Sequence, residues 1–232
     1  MGTGNELYKS KCSTLIPSET HSILLSSMEL YRYLTQEHQA MICEFVVNFY
    51  KGKTVYISQE IVDDVVLLTI TAANAALVGA AQRTEYFSSV KWLYFCTNDL
   101  DVAGDCLAPT SVRFESKICL EESKKITPGN NLVVHEFAHV LDSLLGICGS
   151  TKALREVFRQ CWTDLRNGKE IAVFPADADI SSEIEFFAVA SELFFTSAAQ
   201  LKEGYPELYS DLLSIYGLDT AALIPLHKTI NS

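Results

Sequence analysis

Leu132-Val133-Val134-His135-Glu136-Phe137-Ala138-His139-Val140-Leu141-Asp142 is the stretch on which the reading of this 232-residue chain turns. Apart from His135, Glu136 and His139, every residue from Leu132 to Leu141 is uncharged, so the spacing predicts a buried helix, running over about 130–145 and stopping at Gly146. On a helix, His135 and His139 are four residues apart and leave the same face one turn from each other. Two neutral imidazoles so placed can hold one Zn²⁺. Glu136, next to the first of them, is then set to act as a general base on a water at the metal. Two of the five histidines in the chain fall in this one pattern.

A catalytic zinc needs a third protein ligand and one open position. The metzincin continuation would require Gly at 142 and His at 145, but the chain has Asp142 and Leu145. His21, His38 and His227 lie far away in sequence, so a glutamate on a later helix is the remaining common solution. The segment Ser182-Glu183-Ile184-Glu185-Phe186-Phe187-Ala188-Val189-Ala190-Ser191-Glu192-Leu193-Phe194-Phe195 offers three. Glu183 stands at the expected helix start, where the helix dipole alone accounts for a carboxylate. Glu185 and Glu192, seven apart, share one face.

Outward from these segments the chain reads as mostly helical with a small sheet, an α+β pattern without regular βαβ alternation. Thr35 is the expected cap of a helix that closes before Gly52, and helices are also predicted around 154–168, over 183–196 and over 206–216. Thr54–Ile57, Lys91–Phe95 and Val112–Leu120 are the expected strands, with a loop over Asn98–Pro109. The last of these strands, just upstream of the His-Glu helix, is the candidate edge for holding an extended peptide. Val65 to Gln82 is uncharged over its whole length, but its alanines, Thr69, Thr71 and Asn74 predict a helix buried in a protein core rather than a membrane span. Residues 1–25 are expected to be loosely structured and 26–232 to form a single domain.

Composition narrows the function classes. The chain has 18 Lys and Arg against 29 Asp and Glu, a formal net charge of −11. That leaves few cations for a phosphate-binding face or for anionic lipid, so neither nucleic acid nor membrane is an expected partner. Seven cysteines at irregular spacing, an odd number without a Cys-x-x-Cys pair, predict reduced thiols and a reducing, cytoplasmic location. The first 20 residues have no apolar central stretch of the kind a signal peptide carries.

The run Gly129-Asn130-Asn131-Leu132 through Asp142 resembles the active-site helix of the Mlc titration factor A family of bacterial zinc metallopeptidases. Glu185 to Phe195 resembles that family's third-ligand helix. Leu34-Thr35-Gln36-Glu37 and Tyr205-Pro206-Glu207-Leu208-Tyr209 match more weakly. The two-helix arrangement is also similar to the catalytic domain of anthrax lethal factor. The resemblance implies a zincin-like fold and one zinc per chain on His135, His139 and Glu185, with Glu136 as catalytic base. It implies a peptide or protein substrate and an aminopeptidase-like preference. It gives Asp142, and similarly Glu192, a supporting role in orienting a ligand imidazole. The family's naming for capture of a transcriptional repressor makes a sequestering protein the second reading, and a secreted effector protease with one target the third. One departure stands out: where the family has a tyrosine, seven residues before the third ligand, this chain has Ala178.

Overall fold

The computed structural model describes residues 7–9, 16–58, 61, 63–79, 81–82, 85–97, 103–107, 109–169, 171, 173–176 and 178–224. The sheet has the strand order β1-β2-β3-β5-β4, formed by β1 (Leu7–Lys9), β2 (Thr54–Ser58), β3 (Trp92–Cys96), β4 (Gly104–Leu107) and β5 (Ser111–Glu115). The central strands β2, β3 and β5 run parallel, with Val55, Leu93 and Val112 in one row; β1 and β4 are antiparallel to their neighbours. Along β2, β3 and β5 the inward residues Val55, Ile57, Leu93, Phe95, Val112 and Phe114 are buried, while Tyr56, Tyr94 and Arg113 face outward. That alternation is what one face against helices and one toward solvent requires.

Helices cover the inner face. α1 (Pro17–Ser27), α2 (Glu29–Tyr33) and α3 (Gln36–Phe49) precede β2, and α4 (Asp64–Gly79) follows it. The uncharged stretch forms α4, which is buried at every position from Leu67 to Gly79; no single helix among the described residues is long and apolar enough to cross a membrane. α5 (Ser116–Lys124) leads into α6 (Leu132–Leu145), the helix of the His-Glu pattern. After α7 (Ile147–Ser150) and α8 (Lys152–Arg166) come α9 (Glu183–Thr196), α10 (Ala198–Gly204), α11 (Pro206–Tyr216) and α12 (Thr220–Leu223). α6 lies in the middle, packed on α9, α4, α5, β4 and β5. Phe137 anchors it from behind, with ring centroids at 5.7 Å from Phe49, 4.9 Å from Phe87 and 6.4 Å from Phe114. Aromatic pairs of this kind contribute about 0.5–1.5 kcal/mol each beyond area burial.

Three expectations need correction. The first 25 residues are not loose throughout, because β1 joins the sheet and α1 packs on α3 and α4 through the buried Thr20 and Leu24. The strand expected over Val112–Leu120 ends at Glu115, whose side chain accepts the Ile118 N–H at 2.6 Å and starts α5. The loop expected over Asn98–Pro109 contains β4, and among the described residues β4, not β5, is the edge of the sheet.

Candidate metal centre

The N-terminus of α6 is fixed by side chains from three other helices. Asn131 caps it, its Oδ1 accepting the Val134 N–H at 3.1 Å while its Nδ2 donates to Asn74 Oδ1 of α4 at 2.8 Å. Glu122 of α5 accepts the Leu132 N–H at 2.8 Å, and Glu192 of α9 accepts the Asn131 N–H at 2.6 Å. These acceptors take up donors that a helix start leaves without intrahelical partners. At the other end Gly146 adopts the left-handed conformation, φ 65°, and its N–H bonds Asp142 O at 2.7 Å, so the helix stops where the glycine allows it.

With α6 fixed, His135 and His139 present their rings with centroids 4.8 Å apart. Glu185 comes in from the first turn of α9. Its Oε2 lies 3.3 Å from His135 Nε2 and 3.4 Å from His139 Nε2, and one ligand atom from each of the three residues falls within 4.8 Å of the others. Donors each about 2.1 Å from one tetrahedral ion stand about 3.4 Å apart, so the two separations from Glu185 Oε2 and the N, N, O chemistry fit Zn²⁺. The set is short of positive charge: hydrogen bonds from His135 and then His139 hold the Glu185 carboxyl well below its ordinary value. Burial alone would lower the His135 pKa, but the hydrogen bonds with Glu185 and Glu192 outweigh it and raise it. A cation at that point would meet the same demand.

Glu192 bridges two donors. Its Oε1 is 2.7 Å from His135 Nδ1 and its Oε2 holds the Asn131 N–H, so an N–H on Nδ1 directed at Glu192 would leave Nε2, on the Glu185 side, as the atom to meet a cation. Asp142 does something other than orient an imidazole: its Oδ1 accepts the Cys148 N–H at 2.7 Å and so holds the start of α7. Glu183 sits at the first position of α9, its carbonyl 3.5 Å from Cys148 Sγ, outside the three-residue set. His21 pairs with Tyr31 and His38 with Thr35, both away from the cluster; His227 lies outside the described residues. Glu136, only 4% exposed, has its carboxyl pushed up to about 7 by burial, against the pull of His135 and His139.

The cluster opens into a cleft of about 850 Å³ whose walls are α6, the start of α9, β4, Pro175 and Ala178. Seven of its lining side chains are carboxylates, and no lysine, arginine or tyrosine lines it among the described residues. β4 is its rim. The Glu115 N–H donates to Ala103 O at 2.7 Å, which makes Ala103, Asp105 and Leu107 the positions that bond β5. The alternation of an antiparallel ladder then turns the N–H and C=O groups of Gly104 and Cys106 to the free edge. An Arg113–Asp105 fork, with Nε to Oδ1 at 2.8 Å, ties the two strands together. The six cysteines among the described residues are free thiols, and none belongs to the metal-type cluster; Cys106 lines the cleft with its thiol pushed up to about 12, first by burial and then by Glu136.

Residues 94–217, just over half of the chain, match a family model described as glucose-regulated metallo-peptidase M90. The matched span runs from β3 through α11 and includes β4, α6 and α9. An uncharacterised protein of Synechocystis is 29% identical over 104 residues, covering 39% of this chain. The chain spans 37% of that relative's length.

Proposed function

Because the chain belongs to the glucose-regulated metallo-peptidase M90 family, we propose that it is a zinc-dependent peptidase with His135, His139 and Glu185 as ligands and Glu136 as general base. The observation that carries the reading is the convergence of His135 Nε2, His139 Nε2 and Glu185 Oε2 beside a buried Glu136, under a free strand edge. Zinc bound there supplies Lewis acidity, polarising a peptide carbonyl and lowering the pKa of a water. The Glu136 carboxylate would take a proton from the attacking water and return it to the departing amine. Glu192 keeps the proton of His135 on Nδ1. The Gly104 and Cys106 backbone groups are placed to pair with an extended peptide laid along β4 and crossing the cleft beside Glu136. The carboxylate-rich walls favour a substrate carrying positive charge. A reducing, cytoplasmic location is part of the proposal and rests on the sequence alone, an odd number of cysteines at irregular spacing.

Metal analysis of the purified protein, together with cleavage of a mixed peptide library, tests this reading. About one zinc per chain is expected, and Glu136→Gln should keep the metal and lose cleavage, since an amide of nearly the same shape cannot accept the proton. Cleavage by Glu136→Gln within a few-fold of the parent would refute the assignment of the base. A second reading, a protein-sequestering regulator with weak or no turnover, draws support from one feature: the position where the resembling family places its tyrosine is Ala178, and no described tyrosine lines the cleft. A parent that holds zinc and cleaves nothing in the library would favour that reading.

A further inference from the structure

We propose that Gly104 is a positioning residue for Glu136: the missing side chain on the edge strand is the space in which the Glu136 carboxylate lies. The inference rests on the peptidase reading of the same cleft. Gly104 has ordinary extended backbone, so no left-handed φ requires glycine there. What requires it is contact. A Cβ on Gly104 would stand 2.7 Å from Glu136 Oε1, 2.9 Å from Leu132 Cδ1 and 3.2 Å from Arg113 O. The first two are ends of flexible side chains and the third is tight but within reach, so alanine is accommodated by moving Glu136 and Leu132 and not by breaking the strand. Glycine inside a strand commonly marks such a close approach. Here the approaching group is the carboxylate assigned to move the proton.

The burial of Glu136 leaves it few places to go. Phe137 is wedged among Phe49, Phe87 and Phe114 and holds the backbone of α6, so the carboxylate can yield only by turning its own side chain. Relieving a 2.7 Å contact needs a displacement approaching 1 Å, and misplacement on that scale costs up to about 10²-fold in rate. Gly104 therefore acts through Glu136, touching neither the ligand set nor the proton itself.

Gly104→Ala should retain zinc and lose about 10–100-fold in kcat on a peptide the parent cleaves, with a smaller change in KM. In a Glu136→Asp background, whose shorter side chain withdraws from the strand, Gly104→Ala should cost less than about two-fold, because the contact it creates is gone. Leu132→Ala, by opening the second contact, should return part of the lost rate. A readout independent of turnover is the ¹³C carboxyl signal of Glu136 in the metal-free protein, identified by its disappearance in Glu136→Gln. That signal should shift in Gly104→Ala and stay in place in Gly149→Ala, where an added Cβ meets nothing within 4 Å. Parental kcat in Gly104→Ala, an equal loss in the Glu136→Asp background, or an unmoved Glu136 signal would each overturn the inference. Cleavage surviving in Glu136→Gln would instead overturn the peptidase reading, and the carboxyl signal would still judge the contact.

Discussion

Replacing Glu192 by Gln separates what the bridge between α9 and α6 does for the metal from what it does for the fold. The parent carboxylate accepts from two donors at once, His135 Nδ1 at 2.7 Å and the Asn131 N–H at 2.6 Å, and Glu192 is 8% exposed. Glutamine has the same reach but one acceptor oxygen, and its other end donates. If the oxygen turns to His135, an amide NH₂ faces the Asn131 N–H, and a buried donor without a partner costs about 1–3 kcal/mol. For a domain of this size that lowers Tm by about 2–12 °C. If the oxygen turns to Asn131, His135 loses the group that fixes its proton and ring, and losses of this kind weaken metal binding by about 10–100-fold. The two outcomes compete for one oxygen, so the variant should show one loss in full or a share of each. Competition titration with a chromophoric chelator reads the zinc affinity, and circular dichroism melting of the metal-free protein reads the fold. Zinc affinity within two-fold of the parent together with an unchanged melting temperature would refute the bridging argument.

Glu185→Ala should sharply reduce zinc retention after dialysis, whereas Glu183→Ala, at the half-buried first position of α9 and outside the three-residue set, should leave it unchanged; equal metal content in the two variants would rule out Glu185 as the third ligand. Ala178→Tyr places a phenol at the cleft wall and should raise kcat by at most about 10²–10³ with little change in KM; a parent with ordinary turnover, unaltered by the substitution, would show that the position is not a vacant oxyanion donor. The Lys53 amine, which donates to Tyr86 O at 2.9 Å, is pushed down to about 8 by burial and then by Lys91. Between that value and its ordinary 10.5 the folded chain holds fewer protons on Lys53 than the unfolded chain does. Its contribution to stability therefore rises with pH across that window, and Lys53→Met should remove that part of the slope in denaturant titrations; an unchanged slope would contradict the shift.

Elements carried by one local signal were legible in the sequence. α9 begins at Glu183 as expected, because Ser182 supplies the cap, its Oγ accepting the Glu185 N–H at 3.1 Å, and the apolar stretch Phe186–Ala190 follows. α3 begins after Thr35 for the same reason. α5 was hidden by a conflict of signals. Phe114, Ile118 and Leu120 fit a strand period, and the residue that starts the helix is a glutamate, outside the common capping set. β4 has no signal of its own: four residues, Gly-Asp-Cys-Leu, half-buried or exposed, held in place by the ladder with β5 and the Arg113–Asp105 fork. A strand that exists only through its neighbour cannot be read from its own side chains.

The same division runs through the site. The pairing of His135 with His139 is a property of one helix and follows from its period. Glu185 and Glu192 share a face of α9, so spacing alone does not rank them, and it is the family resemblance that implies Glu185 as ligand; what separates them in the structure is how far each reaches toward α6, Oε2 of one to both Nε2 atoms, Oε1 of the other to Nδ1. Asp142 shows the limit most clearly. A carboxylate three residues past His139 on the same helix could turn to the imidazole or to whatever follows the helix, and the spacing allows both. The left-handed Gly146 sends the chain into α7 at an angle that brings the Cys148 N–H to 2.7 Å from Asp142 Oδ1. A charge-assisted bond to a backbone N–H at a helix start also gains from the local dipole, which a neutral imidazole does not offer. The carboxylate therefore goes to α7, and the orienting role at the His pair is left to Glu192, from the helix on the far side of the cleft.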